Sequence, residues 1–341
     1  MLTTNPSSPY YGKEAYTPKT IPDQPPEPNK SWLRSFGKIR LPWGNTSQAV
    51  PVEMLTKFQV KNLRYIKTNH SKQKQQKMRK EADDLGACFN HECYRMPHVT
   101  WRLTLIGFLM TGGKGASIIL TPIMTLASIA GYFLSNGKVE FIEVFKVWCW
   151  WVFTPLIIWQ VSEFAFKHCK RFFFAKSLGP QYEFNRRTGL VTLYDRKTKQ
   201  ASQHRFYEFD AYLNSFVSKQ GIMQYQLYIV HRYSPKKLMS MYPLQGPSYN
   251  IEPHGAVWDF LQNYMDISQP LPDIPELEEY RSLDPVTAEH DKRTGRPADY
   301  WLNVVDEETL KQKIDENGRI IFELHLERRP DIMLQHVNYQ S

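Results

Sequence analysis

The chain is 341 residues long, with 43 Lys and Arg against 34 Asp and Glu and a formal net charge of +9. That length holds a membrane hairpin and one or two modest soluble domains. No familiar nucleic-acid-binding motif accompanies the positive charge, and Cys88, Cys93, Cys149 and Cys169 read as reduced thiols rather than a disulfide framework.

Residues 1–51 contain nine prolines and few apolar side chains. Such a composition cannot offset chain entropy, so this stretch is expected to be largely disordered. It has no apolar core of a cleavable signal peptide, and insertion is expected to use a later span. One island stands out. Trp32, Leu33, Phe36, Ile39, Leu41 and Trp43 alternate with Lys30, Arg34, Lys38 and Arg40. It suits a basic amphipathic piece on a membrane surface and, equally, a segment docked on the protein's own cytoplasmic domain.

Residues 52–102 are expected to form a cytoplasmic helical region. Val52, Leu55, Phe58, Val60, Leu63 and Ile66 recur at helical spacing, and His70 to Asp84 is almost entirely polar. Cys88, His91, Cys93 and His98 are the right ligand types for zinc. Their spacing fits no known finger, and a juxtamembrane loop with buried thiols is the plainer expectation. His91-Glu92 begins like a zincin helix, but Arg95 stands where the second histidine belongs.

Residues 103–170 carry the hairpin. Two uncharged or nearly uncharged runs, Gly115 to Leu134 and Val147 to Phe166, are each 20 residues long. That is enough to cross ~30 Å of hydrocarbon as a helix, and two spans with a short link pair their backbones without open edges. A pair of buried core helices in a soluble domain is the alternative, but runs this long seldom occur there. Leu103 to Met110 is apolar but too short to span, and Thr111-Gly112-Gly113-Lys114-Gly115 is expected to break it before the first span. An earlier start near Leu103 stays open. The stretch Gly107 to Lys114 faintly resembles a phosphate loop but lacks the final Ser or Thr. Arg95, Arg102 and Lys114 precede the first span, and Lys167, Lys170, Arg171 and Lys176 follow the second. This places both termini in the cytoplasm and the connector from Ser135 to Lys146 outside. Tyr132, Trp148, Trp150 and Trp151 mark one interface. Pro122 and Pro155 lie within the spans, and Ala127 and Gly131 are spaced for close helix approach. Gln160 and Glu163 are polar groups in the second span, and Glu163 is placed to pair with Lys167.

Residues 178–268 turn to period two. Strands are expected over Tyr182–Asn185, Gly189–Asp195, His204–Phe209, Ala211–Val217, Met223–Tyr233 and Lys237–Pro243, followed by a helix from about Pro253 to Met265. The whole is therefore an α+β membrane protein: a two-helix transmembrane hairpin, then a small antiparallel β domain closed by a helix. Residues 269–304 are charged and proline-punctuated. They are expected to lie extended, pinned by Leu271, Ile274, Leu277, Tyr280, Tyr300 and Trp301. Asp284, Glu289, Asp291 and Asp299 could hold a cation or work as an acid–base pair; pairing with Arg281, Lys292, Arg293 and Arg296 is the commoner fate of such mixtures. Residues 305–341 are expected to give a short helix from Glu307 to Glu316, stopped at Asn317-Gly318, an edge strand over Arg319–Leu326 and a mobile tail.

The strand series that opens FNRRTGLVTLYDR and ends in a helix resembles the pleckstrin-homology-like domains that some bacterial membrane proteins carry after a hairpin. Together with the hairpin, PLPDIPELEEYRSLDPVTAEHDKRTGRPADYW, Pro270 to Trp301, resembles an uncharacterised family of bacterial two-span inner-membrane proteins encoded near type VI secretion genes. The resemblance covers roughly Arg95 to Trp301 and carries no catalytic residues. It implies a setting of interbacterial toxin delivery, with immunity against a cognate effector, or an accessory role, as the function.

No catalytic, cofactor-binding or metal-binding residue is assigned from sequence, and no hydrolase elbow, zincin, Walker or dinucleotide fingerprint occurs. The expected function is that of a non-enzymatic inner-membrane protein whose cytoplasmic domain binds a protein partner, with anionic lipid headgroups as a further contact. The alternatives are a membrane-perturbing secreted effector and a membrane-bound enzyme using the acids of residues 284–299.

Overall fold

The computed structural model describes residues 10–28, 39–44, 46–98, 101–135, 140–169, 172, 180–195, 198, 200–234 and 237–339. The Trp32–Lys38 part of the basic island, connector residues 136–139, and Lys170, Arg171 and Lys176 lie outside them. Two compact units emerge. One comprises Asp84–Gly86 and Pro97–Gly179, and the other the remainder of the chain.

The smaller unit contains two helices, α3 (Trp101–Leu134) and α4 (Phe141–His168), of 34 and 28 residues. At ~1.5 Å per residue these are about 51 and about 42 Å long, and both are long and apolar enough to cross a membrane. The expected break at Thr111–Gly115 is absent: α3 runs through it. Each glycine weakens a helix by ~1 kcal/mol, but Gly113 is where the helices touch. A Cβ there would lie 2.9 Å from the Trp159 backbone nitrogen and 3.1 Å from the Pro155 carbonyl oxygen. Close approach thus occurs at Gly113 and buried Ser117, not at Ala127 and Gly131, which face outward. Hydroxyls along this stripe bond back one turn: Ser117 to the Gly113 carbonyl at 2.8 Å and Thr121 to the Ser117 carbonyl at 2.6 Å. Farther along, the Trp148 indole donates to Thr125 Oγ1 across the helix pair at 2.9 Å.

The larger unit is built on antiparallel sheets. β1 (Ile39–Arg40), β7 (Phe209–Val217), β8 (Met223–His231) and β9 (Leu238–Ser240) form one. β2 (Cys88–Phe89), β3 (Cys93–Pro97), β4 (Pro180–Asn185), β5 (Leu190–Tyr194) and β6 (Ala201–Arg205) form the other, in the order given. The Asn185–Gly189 turn works as its sequence demands. Gly189 adopts φ +72°, and its N–H donates to the Asn185 carbonyl at 2.9 Å. The strand expected over His204–Phe209 instead ends at Arg205 and passes into a 3-10 turn, Phe206–Glu208, because Phe206 drops into the core.

Helix α5 (Glu252–Met265) has 11 of its 14 residues buried, so it runs through the core rather than along it. Arg186, with no exposed surface, holds its C-terminal end. Its guanidinium donates to the carbonyls of Tyr264 at 2.6 Å and Asp266 at 2.9 Å, a cation where the helix dipole is negative.

The expectation of disorder through Pro51 does not hold for the described residues. Tyr16, Ile21, Leu41, Trp43, Ala49 and Val50 all belong to the main core. Prolines remove backbone donors but do not prevent single apolar anchors from filling pockets. The same holds at the other end. Helix α7 (Glu307–Phe322) continues past Asn317-Gly318, so Arg319–Leu326 is no strand, and Met333 and Val337 of the tail are buried. Nor is 269–304 extended. It folds into a 3-10 segment, Pro275–Leu283, and α6 (Pro285–Thr294), with Leu271, Ile274, Leu277 and Trp301 buried. Ahead of the hairpin, α1 (Lys57–Asn69) packs Val60 beside Trp301, Val305 and Leu310, while α2 (Lys72–Asp84) buries nothing.

Asp210 joins both chain ends to the sheet. It has no exposed surface and accepts from Arg232 Nε and Nη2 at 2.7 Å each, from Trp43 Nε1 at 3.1 Å and from Tyr339 Oη at 2.8 Å. Burial pushes its carboxyl up, but the Arg232 and Arg40 charges outweigh that and hold it below the usual range. Replacement Asp210→Asn leaves a buried guanidinium unpaired. It is expected to cost about 3–5 kcal/mol, read as a lower urea midpoint, with earlier proteolysis within the C-terminal tail. In the hairpin, Gly113→Val is expected to cost about 1–3 kcal/mol by overpacking, read as a lower thermal midpoint in detergent, whereas Gly131→Val is expected to change little.

Candidate functional site

The residues singled out by sequence are dispersed. Cys88 and Cys93 lie on the β2–β3 hairpin with their sulfurs 3.2 Å apart. Its turn is held by Asn90 Oδ1, which accepts from the backbones of Glu92 at 2.7 Å and Cys93 at 2.9 Å. His91 is stacked between Tyr10 and Tyr280, and burial lowers its pKa. Among the described residues, Cys88, His91, Cys93 and His98 therefore do not converge as one ligand set.

The four acids are likewise separated. Asp284 is fully buried. It caps α6 through the Thr287 N–H at 3.1 Å, accepts from Tyr11 Oη at 2.6 Å and faces Arg186 at 3.3 Å. Asp291 forms a two-pronged pair with Arg281, both contacts at 2.7 Å. Glu289 and Asp299 are exposed. Arg281 was a legible partner; Arg186, 98 residues from Asp284 along the chain, was not. Glu163 meets Lys167 at 2.6 Å on the surface of α4. The phosphate-loop resemblance falls inside α3, where helical amides are already bonded.

A different cluster forms at one end of the sheets. His204 sits near the end of β6, Glu208 on the 3-10 turn and His231 at the end of β8. The turn brings them together. The Arg205 N–H donates to Glu208 Oε2 at 3.1 Å, folding that carboxylate back on its own backbone. The pairing of Phe209 with His231 then sets the second imidazole beside it. His231 Nε2 is 3.4 Å and His204 Nδ1 3.7 Å from Glu208 Oε2. The two rings lie 4.1 Å apart at 60°. Lys237 Nζ is 2.7 Å from the other ring nitrogen of His204. His231 is buried, and its Nδ1 has no protein partner.

The electrostatics favour the base forms of His204 and Glu208. Burial, then His231 and Lys237, pull His204 down to about 4. Burial raises Glu208, but bonds from His231 and the Arg205 backbone hold it below the usual carboxylate range. The i, i+4 spacing of His204 and Glu208 was visible in sequence; the third member depends on strand register and was not. Three donor atoms within 4.8 Å of one another can bind a cation or share a proton.

Compared with protein-family models, curated proteins and solved structures, the chain finds no match.

Two further buried groups set a pH dependence. Burial pulls His254 down to about 4 and pushes Glu276, whose Oε2 has no partner, up to about 7. The unfolded histidine, near 6.5, takes its proton first as pH falls. The His254 contribution is thus complete above that value and is lost as pH drops towards 4. Glu276 acts oppositely: its contribution is complete below the unfolded value of 4.5 and is lost as pH rises through 7. The two slopes oppose one another over most of that range. In Glu276→Gln the second slope disappears. The variant is expected to gain about 3 kcal/mol relative to the parent between about pH 5 and about pH 8, measured by urea unfolding at both ends.

Proposed function

We propose that this chain is a non-enzymatic bacterial inner-membrane protein that crosses the bilayer twice and uses a cytoplasmic domain to bind a protein partner. The surface of α3 and α4 carries the reading. Phe108, Ile118, Leu126, Phe133, Trp150 and Phe164 are between 63% and 73% exposed. Apolar area on that scale needs lipid or protein to cover it, and a helical hairpin is a form that lipid accepts. Arg102 and Lys114 before the turn and Lys167 after it favour cytoplasmic termini, against a connector whose lysines and glutamates balance. The same cations attract anionic headgroups.

The succession of antiparallel strands β4 to β9 and then α5 supports the reading of a pleckstrin-homology-like domain only at the level of an antiparallel β region followed by a helix. Binding without catalysis fits the acids of 284–299, two of which are occupied by arginines. The immunity or accessory role rests on the resemblance read in the sequence of Pro270 to Trp301.

The expected outcome of fractionation is recovery in the membrane pellet, released by detergent but not by alkaline carbonate. A reporter placed after Asn136 is expected on the periplasmic side and one after Ser341 in the cytoplasm. Deletion in a strain with active secretion is expected to expose cells to killing by their sisters if the role is immunity, and to reduce killing of competitors if it is accessory. Recovery from the aqueous fraction without detergent would overturn the membrane reading; no change in either killing assay would overturn the secretion link.

A further inference from the structure

We propose that His204, Glu208 and His231 form a binding site for a divalent transition-metal ion, best matched by Zn2+. Two imidazoles and one carboxylate are a zinc donor set that leaves a fourth position open. The geometry is close to what the ion requires. Bonds of ~2.0–2.1 Å in a tetrahedron separate ligand atoms by ~3.3–3.4 Å. Here two of the three separations are 3.4 and 3.7 Å, and all three donor atoms lie within 4.8 Å of one another. Closing on an ion needs shifts of a few tenths of an ångström in side chains.

Three independent features support a built site rather than a chance meeting of side chains. First, each donor comes from a fixed piece of backbone: a paired strand, a capped turn and a second paired strand. Second, Glu208 is oriented by the Arg205 N–H, the kind of outer contact that positions metal-binding carboxylates. Third, His231 is only 4% exposed, and its hydrogen bonding is poor. Its Nδ1 has no protein partner, and its Nε2 reaches Glu208 only at 3.4 Å. Buried polar atoms are normally better satisfied than this, and an ion between Nε2 and the carboxylate replaces that long Nε2 contact with a direct bond to each.

Lys237 opposes the ion. Its ammonium donates to His204 Nε2, which places the imidazole proton on Nδ1, the atom facing Glu208. Metal binding at Nδ1 moves that proton to Nε2, where it meets the ammonium. Lys237 must then swing away, and its long stem allows it.

The test uses the full chain in detergent, stripped with chelator and titrated with Zn2+ by calorimetry. One ion per chain is expected, with a higher thermal midpoint. His204→Ala removes a partly exposed ligand and is expected to weaken binding by more than the ~10–100-fold that loss of an outer contact costs. Glu208→Gln is expected to weaken it less. Lys237→Met removes a cation and is expected to tighten it. Co2+ reports the site directly: tetrahedral nitrogen and oxygen ligation gives visible absorption without the thiolate charge-transfer band that Cys88 and Cys93 would produce. No saturable Zn2+ binding, binding unchanged in both His204→Ala and Glu208→Gln, or a thiolate band with Co2+ would each overturn the assignment. Because His204 is partly solvent-facing, its variant is expected to fold, and circular dichroism of that variant separates lost binding from lost structure.

Discussion

A single carboxylate without access to water organises the larger unit. Asp210 bonds Arg232 with both oxygens, and Trp43 and Tyr339 bring their polar ends to the same place. Moving two charges out of water is expensive, and their attraction returns that cost only with good geometry and further bonds on the remaining lone pairs. Those further bonds come from residues 167 and 129 positions away in the chain. The electrostatic requirement of the pair is therefore met only when both terminal segments are docked. Arg40 extends the network, lying over the Tyr339 ring at 3.8 Å and meeting Asp331 at 2.5 Å. On α5, Asp259 repeats the device, accepting from Ser47 at 2.8 Å and from Arg329 at 2.7 Å. Two buried acids thus each connect an N-terminal and a C-terminal partner.

The hairpin obeys a different rule. Its side chains are no more apolar than those of the main core, yet they point outward. Among the described residues, the closest approach is made by Gly113 on α3 against the backbone of Pro155 and Trp159 on α4, with Ser117 and Ser162 buried alongside Ile106 and Val152. Where lipid replaces water, apolar contact between helices gains little, and association depends on close backbone packing and polar bonds. Back-bonded hydroxyls and the Trp148 to Thr125 bond are what that rule asks for. A glycine that looks like a helix breaker in a linear sequence is, in such a pair, the residue that permits contact.

How much of this was legible follows from the range of the signals. Period-two strands from Tyr182 onward, the helix from about Pro253 to Met265 and the two apolar runs are local patterns, and each appeared close to where the sequence put it. The terminal segments were not legible, because their anchors are sparse. Tyr16 and Ile21 belong to no periodic pattern, and for the basic island only the pockets that receive Leu41 and Trp43 decide between the two readings its sequence allowed. Gly113 was read as a break because its partner, the backbone of Pro155 and Trp159, is more than 40 positions away. The histidine cluster was missed for the same reason. His204 and His231 belong to different sheets, and their meeting requires the register of β7 on β8 and the short turn at Phe206.

That register also explains why one strand end can serve two purposes. Glu208 and Asp210 flank Phe209, and His231 precedes Arg232. Successive residues of a strand project to opposite sides. His231, opposite Phe209, therefore projects away from the side on which buried Asp210 meets Arg232, and Glu208 reaches it from the 3-10 turn, outside the strand's alternation. The Arg232 N–H also donates to the Glu208 carbonyl at 2.9 Å, so the two pairs share one stretch of backbone. A side chain locked by a buried ion pair cannot drift, and the residue beside it inherits that rigidity. Ligands held this way lose little freedom on closing around an ion, the condition that favours binding by a small number of donors.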